Sequence, residues 1–270
     1  NTALGYKAGF SVTSGFSNMA IGSGAMSNSA GITGSYNIGI GNSALNVLLT
    51  GNRNIGIGPE ALVSNTTGYC NVAIGGASAL PFNGSGSQIT AIGYQAGYRV
   101  TVSNNTAVGT YAMFGNTVSI TGLYNTAIGV QALYSLTSGT SNGAFGHAAL
   151  VSNNTGSYNT AVGGLDTGTY SALQANSSGS YNTACGSGAL KFNTTASYNT
   201  AVGYQALQSN VTNTFNTAVG YQALGASLAN RNTAIGYTAG NAVTSGAYNT
   251  AVGSGAMAPA ASNAVTGNDN

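Results

Sequence analysis

The sequence predicts an all-β fold, a parallel β-solenoid of about 15 coils. Three observations carry this expectation. First, the pentapeptide Asn199-Thr200-Ala201-Val202-Gly203 returns in close variants from one end of the chain to the other. Second, the return is phased. Taking its glycine as anchor, the equivalents are Gly5, Gly22, Gly41, Gly58, Gly75, Gly93, Gly109, Gly129, Gly146, Gly163, Gly186, Gly203, Gly220, Gly236 and Gly253, 15 copies in 270 residues. A short, near-constant period means one structural unit stacked many times. Third, a unit of about 17 residues is too short for helix-pair repeats, which need about 33 or more. Gly, Asn and Thr, which fill much of it, also disfavour helix.

Each position of the unit has its own chemistry. The residue before the glycine is apolar in every copy, as in Ile92, Val162, Val202 and Val219. Two before it stands Ala in 13 copies, with Gly39 and Gly56 in the others. Three before stands Thr in ten copies, otherwise Met19, Ile38, Ile55, Val72 or Gly143. Four before stands Asn in 14, with Ile89 the exception. One short Asn-Thr-Ala-Val/Ile-Gly strand per coil accounts for this, because side chains alternate faces along a strand. Thr and Val/Ile then share one face, Asn and Ala the other. The ladder residues are Asn199, Thr200, Ala201, Val202 and Gly203, continued by Asn216, Thr217, Ala218, Val219 and Gly220.

The strand ends at the glycine, which bends it. Tyr204-Gln205-Ala206-Leu207 reads as a second short strand. The turn-forming stretch after it, such as 208–214, absorbs nearly all variation in period, as a surface loop does. Parallel stacking at about 4.8 Å per layer would give about 70 Å for fifteen layers. Identical asparagines would then stack, and stacked amides bond from layer to layer. The array is expected over 1–257, with an insertion near 164–181 read as a bulged loop. Residues 258–270 carry no motif and read as an irregular C-terminal segment.

Because Met, Ile and Val replace Thr, the Thr/Val/Ile face is expected to point into an apolar core. The Asn/Ala face admits little but small residues. Two readings stay open for it. It packs against the same ladder of a second or third chain, or Ala is simply the small inner residue at a tight corner of one coil. A lone narrow coil buries few large side chains, while ordering costs about 1–2 kcal/mol per residue in backbone entropy. Oligomerisation is a common remedy. Neither end reads as a polar cap, so flanking segments or end-to-end stacking into a filament are expected.

Composition excludes several function classes. Only 3% of residues are charged and the net charge is +2. Lys7, Arg53, Arg99, Lys191 and Arg231 are scattered singly, which gives no basic face for nucleic acid. No apolar run reaches the length of a membrane span. Asn1 opens inside a copy of the motif, where a signal peptide would stand, so the chain reads as a segment of a longer array. The hydrophobic fraction of 43%, at fixed positions, argues against disorder.

Reactive chemistry is sparse. His147 is the single histidine, and Glu60 and Asp166 fall many coils apart. No catalytic residue, metal or cofactor is expected. Cys70 and Cys185 are also too far apart in the repeat to pair within one chain. Cys185 replaces the core valine and is expected buried; Cys70 would meet a symmetry mate only near an axis. Sequons at Asn65, Asn83, Asn104, Asn153, Asn176, Asn193 and Asn210 fall mostly in the variable loops, where glycans go, although chance accounts for most of them in a chain this rich in Asn, Ser and Thr. Tyr204, Tyr221 and Tyr237 recur in one slot. Tyr158, Tyr181, Tyr198 and Tyr248, with Phe215, recur in another. Either series is an aromatic ladder, for stability or as an exposed sugar-binding stripe.

The Ala-Val/Ile-Gly core, with Asn before and Ala after, resembles the YadA-like head repeats of trimeric autotransporter adhesins. The fuller Asn-Thr-Ala-Val-Gly-Tyr-Gln-Ala-Leu resembles repeats of bacteriophage tail-fibre-like proteins. The resemblance covers about 1–257 and implies a homotrimeric, left-handed parallel β-roll that projects from a cell or virion and meets a surface. The period of about 17 is longer than the usual adhesin coil, and no stalk, membrane anchor or chaperone domain is recognised. The expected function is structural: a fibre-forming extracellular surface protein, adhesin-like, with self as partner and a host-surface or glycan ligand. The shaft of a phage tail fibre is the alternative. Ice binding is more remote, because Thr is expected to face inward.

Overall fold

The computed structural model describes residues 1–76, 78–164 and 170–258. They form a parallel β-solenoid in two units, 1–138 and 139 onward, and include no helix. The first unit carries β1 (Thr2–Leu4), β2 (Met19–Ile21), β3 (Ile38–Ile40), β4 (Ile55–Ile57), β5 (Val72–Ile74), β6 (Thr90–Ile92), β7 (Thr106–Val108) and β8 (Thr126–Ile128). The second carries β9 (Gly143–Phe145), β10 (Thr160–Val162), β11 (Thr183–Cys185), β12 (Thr200–Val202), β13 (Thr217–Val219), β14 (Thr233–Ile235) and β15 (Thr250–Val252). Within each unit, every strand pairs in parallel with the next in unbroken register. Thr200, Ala201 and Val202 lie against Thr217, Ala218 and Val219. Ile38, Gly39 and Ile40 lie against Ile55, Gly56 and Ile57.

The faces of the strand are the reverse of the expectation. Ala201 and Asn199 have no exposed surface, whereas Val202 is 37% exposed and Ile235 44%. Thr200 is half-buried. The core is Ala and Asn from the strand side, closed by Ala206 and Leu207 and their equivalents. The reason is width. A coil of 17 residues encloses one layer of side chains, and Leu or Met from the turn fills it. Gly39 and Gly56 show this: a Cβ at Gly39 would lie 3.2 Å from Met26 Cε, and one at Gly56 3.4 Å from Leu45 Cγ. The restriction to Ala and Gly therefore comes from the coil's own interior, not from a neighbouring chain. Met, Ile and Val are free to replace Thr because that side faces out. Cys185 follows the same rule and is exposed, not buried.

The expected second strand over Tyr204–Leu207 is also corrected. Gln205 and Leu207 are left-handed, with φ 54° and 51°, and Phe215 adds a third such position at φ 62°. These single left-handed residues turn the chain tightly enough to send both Ala206 and Leu207 inward. Glycine substitutes at the same slots: Gly24, Gly188 and Gly255 for Gln205; Gly9, Gly97 and Gly240 for Leu207. At the anchor, Gly203 has φ 132°, and a Cβ there would overlap the Gly220 carbonyl of the next layer. No other residue fits.

Asparagine ladders hold the layers. The Asn37 Oδ1 accepts from the Asn54 backbone N–H at 2.9 Å and from Asn54 Nδ2 at 3.1 Å. Asn182 serves Asn199 in the same way, at 3.0 and 3.2 Å. A second ladder was not anticipated. Asn193 Nδ2 donates to Asn176 Oδ1 at 2.7 Å, and Asn176 Nδ2 to Asn153 Oδ1 at 2.8 Å. The two ladders converge on one backbone carbonyl per coil. Asn182 and Asn193 both donate to Ala196 O, at 2.8 and 3.1 Å. Asn199 and Asn210 both donate to Asn213 O, each at 2.9 Å. Paired amides thus satisfy a buried carbonyl that the short strand cannot reach.

This second ladder puts six of the seven sequons inside the coil. Asn65, Asn83, Asn153, Asn176, Asn193 and Asn210 are all completely buried. Only Asn104 stays partly accessible, in a left-handed slot at φ 63°. The insertion proper, including Asp166, and the segment after Ala258 lie outside the described residues.

Candidate functional surface

His147 is half-buried, with its carbonyl accepting from Ser171 Oγ at 2.7 Å. Glu60 lies in the other unit and accepts from Ser78 Oγ at 2.7 Å. Cys70 and Cys185 are both free and exposed. Among the described residues no three His, Cys, Asp or Glu side chains group to hold a metal. None of the described residues forms a helix long and apolar enough to cross a membrane. What the fold does build is surface, in three kinds.

The outer strand face comes first. Strands β10 to β15 present alternating Thr and Val, Cys or Ile. Strands β3, β4 and β5 present only apolar residues: Ile38, Ile40, Ile55, Ile57, Val72 and Ile74. Successive layers mostly place like on like, so each unit carries a largely β-branched stripe, interrupted by Leu4 and Met19 in the first and by Gly143, Phe145 and Cys185 in the second, without a charged side chain. Val202, Val219 and Ile235 are exposed, whereas Ile40, Ile57 and Ile74 are half-buried.

Aromatic ladders form the second kind. Tyr204, Tyr221 and Tyr237 stack at 5.3 and 5.2 Å between ring centroids. Tyr158, Tyr181, Tyr198 and Phe215 stack at 4.9, 5.0 and 5.0 Å, within 6° of parallel. Arg231 continues this second ladder, its guanidinium 5.4 Å from both the Phe215 and Tyr248 rings, and Arg231 Nη1 donates to the Tyr248 hydroxyl at 2.9 Å. Ring faces cover one another, so what reaches solvent is ring edges and hydroxyls. In the first unit a broader cluster joins Tyr94, Tyr98, Tyr111, Phe114 and Tyr134. Crowding there raises the Tyr111 pKa, first by excluding water and then through Tyr94, both its charge and its hydrogen bond, and through the charge of Tyr134.

The third kind is a groove of about 370 Å³ on the first unit, lined by Phe16, Ser35, Tyr36, Asn52, Arg53, Thr67, Tyr69 and Cys70. Its backbone is fixed by left-handed residues: Tyr36 at φ 61°, Arg53 at 56° and Cys70 at 55°. Sequence reasoning missed this groove. Its one signal is the slot before the ladder asparagine, where aromatic residues recur in the second unit but Tyr36, Arg53 and Cys70 follow one another in the first. Comparison with family models, curated proteins and solved structures gives no match for this chain.

Proposed function

We propose that this chain is a structural, fibre-forming surface protein, in which three copies of a left-handed roll, each coil carrying one Asn-Thr-Ala-Val/Ile-Gly strand, associate through the outer strand face. One observation carries the reading: the outer strand face bears an apolar side chain in every described coil, half-buried to exposed, and no charge. Alone in water it costs solubility, and in a chain with 3% charged residues little repulsion offsets that. Paired with its own copies around an axis, the stripe becomes a core. The expected partner wall is thus transferred from the Asn/Ala face to the Thr/Val/Ile face. Work is done by the array's repetition, its sides and its ends, rather than by catalysis, and no cofactor is called for.

An extracellular setting, on a cell or a virion, suits a chain whose polar surface is amide and hydroxyl. A filament of end-to-end copies fits the in-register stacking, and the shaft of a phage tail fibre rests on the same physics. Sedimentation of the purified chain tests the assembly: a stable trimer supports it, and a cooperatively folding monomer at micromolar concentration refutes it. Electron micrographs of the native particle separate the settings, long surface filaments from short spikes on a capsid-bearing particle.

Ice binding gains one observation. The threonines face outward, contrary to the expectation that had weighed against it. Thr200 and Val202 stand about 6.6 Å apart along the strand, with layers about 4.8 Å apart, which makes a regular, uncharged grid. Thermal hysteresis of the purified chain would establish this reading, and its absence would close it.

A further inference from the structure

The five basic residues are not equivalent. Lys7 lies 5.4 Å from the Tyr6 ring, Arg99 near Phe82 and Tyr98, Lys191 over Tyr170 and Phe192, and Arg231 between Phe215 and Tyr248. Arg53 alone has neither an aromatic ring nor a carboxylate against its guanidinium among the described residues. Arg231 is its internal control. Both occupy the slot before the ladder asparagine, in the same left-handed conformation, φ 56° and 57°. Arg231 has an aromatic ring on each side and a hydroxyl to donate to. Arg53 is followed in its slot by Cys70, which is too small to cover it, and the groove is the space that results.

We propose that this groove binds a carboxylate-bearing saccharide, with Arg53 receiving the carboxylate. The guanidinium presents a planar fork that matches a carboxylate in two parallel hydrogen bonds. One uncompensated cation calls for one negative charge. Around it the lining alternates apolar and polar surface, as a sugar ring does. Tyr69 is half-exposed with no ring partner among the described residues, so its face is open to a sugar's C–H groups. Tyr36 is held edge-on to Phe16 at 5.1 Å, which fixes the opposite wall. Thr67 and Asn52 supply hydroxyl and amide groups at the rim. Asn52 is already oriented, accepting from the Ser35 N–H at 2.8 Å and donating to Thr50 O at 2.9 Å. A volume of about 370 Å³ lies within the range of small-molecule sites. The site gives a ligand class to the surface contact of the fibre reading. It rests on that reading only for where the sugar comes from.

Nuclear magnetic resonance titration of the full chain with glucuronic acid, glucose, acetate and glucose 6-sulfate tests the assignment. Glucuronic acid is expected to bind at least about tenfold tighter than the other three, since only it offers both the carboxylate and the ring. Arg53→Gln should lose that preference, Tyr69→Ala should weaken binding severalfold, and Arg231→Gln should leave it unchanged. All three positions are exposed, and unchanged melting confirms folding. Equal affinity for acetate would reduce the groove to an anion site and overturn the saccharide assignment. Equal affinity for glucose would remove the role of Arg53, and tighter binding of the sulfate would overturn the carboxylate. No binding by any of them overturns the proposal. Sedimentation of the same samples reports assembly independently, so failure of the groove and failure of the fibre reading are distinguished.

Discussion

Asn193 shows how much one residue carries. It donates to Asn176 Oδ1 and to Ala196 O, and its own Oδ1 accepts from Asn210 Nδ2 at 3.2 Å, all in a fully buried site. Asn193→Ala should cost about 2–4 kcal/mol, because it removes the bonds and leaves a buried acceptor unpaired. Asn193→Leu should cost less, about 1–2 kcal/mol, since Leu48 and Leu136 fill the equivalent site in the first unit. Urea denaturation of both variants checks the order. Gly203→Ala should cost about 3 kcal/mol or more, through a forbidden φ and overlap with the Gly220 carbonyl. Gln205→Gly, in a slot glycine already holds elsewhere, should stay within about 1 kcal/mol of the parent in the same denaturation series. The composition of each slot was legible in the sequence, including the glycines that mark left-handed positions. What was misread was direction. Alternation places Thr with Val and Asn with Ala, but it does not say which pair faces in. Tolerance of Met, Ile and Val was taken as apolar surroundings, when it reflects an exterior without steric limit. Restriction to Ala and Gly was the signature of the interior.

Among the elements, the ladders and the stripe separate stability from association. Tyr198 stacks on Tyr181 and Phe215, so Tyr198→Ala should lower stability by about 1–3 kcal/mol without changing oligomeric state. Val202 and Val219 lie in the outer stripe, in register. Replacing both with Lys should leave folding intact, seen as unchanged circular dichroism, and shift sedimentation to the monomer. The Tyr94–Tyr111–Tyr134 cluster gives a pH dependence. Tyr111 is held protonated by its surroundings, so its folded-state pKa is raised above the unfolded value of about 10. Stability from this site is full below that value and is lost as pH rises through the folded one. A phenolate titration should show Tyr111 ionising late, and Tyr94→Phe should bring it earlier. The aromatic slots were visible in the sequence, because like residues recur at the repeat period. The groove was not, because it arises where a ladder breaks, at Cys70.

For the molecule as a whole, repetition implies that stability sums over coils and their contacts with the next. Deleting residues 199–215, one whole coil, should therefore leave a folded protein, because Asn216 takes the place of Asn199. Deleting half a coil should not, since every ladder would lose register. Thermal melting compares the two. The architecture was legible because fifteen phased copies leave few alternatives, whereas the Asn/Ala face, one reading of which was a wall against another chain, lies inside the coil for the reason given above. Cys185 offers the most direct test of the central claim, self-association through the outer face. It stands in the stripe between Val162 and Val202, exposed and free. With Cys70→Ser removing the other thiol, mild oxidation should link Cys185 to Cys185 between chains, giving a covalent dimer on a non-reducing gel. A Cys185 that reacts readily with a maleimide yet never cross-links would contradict it, because the stripe would then be open surface rather than the wall between copies.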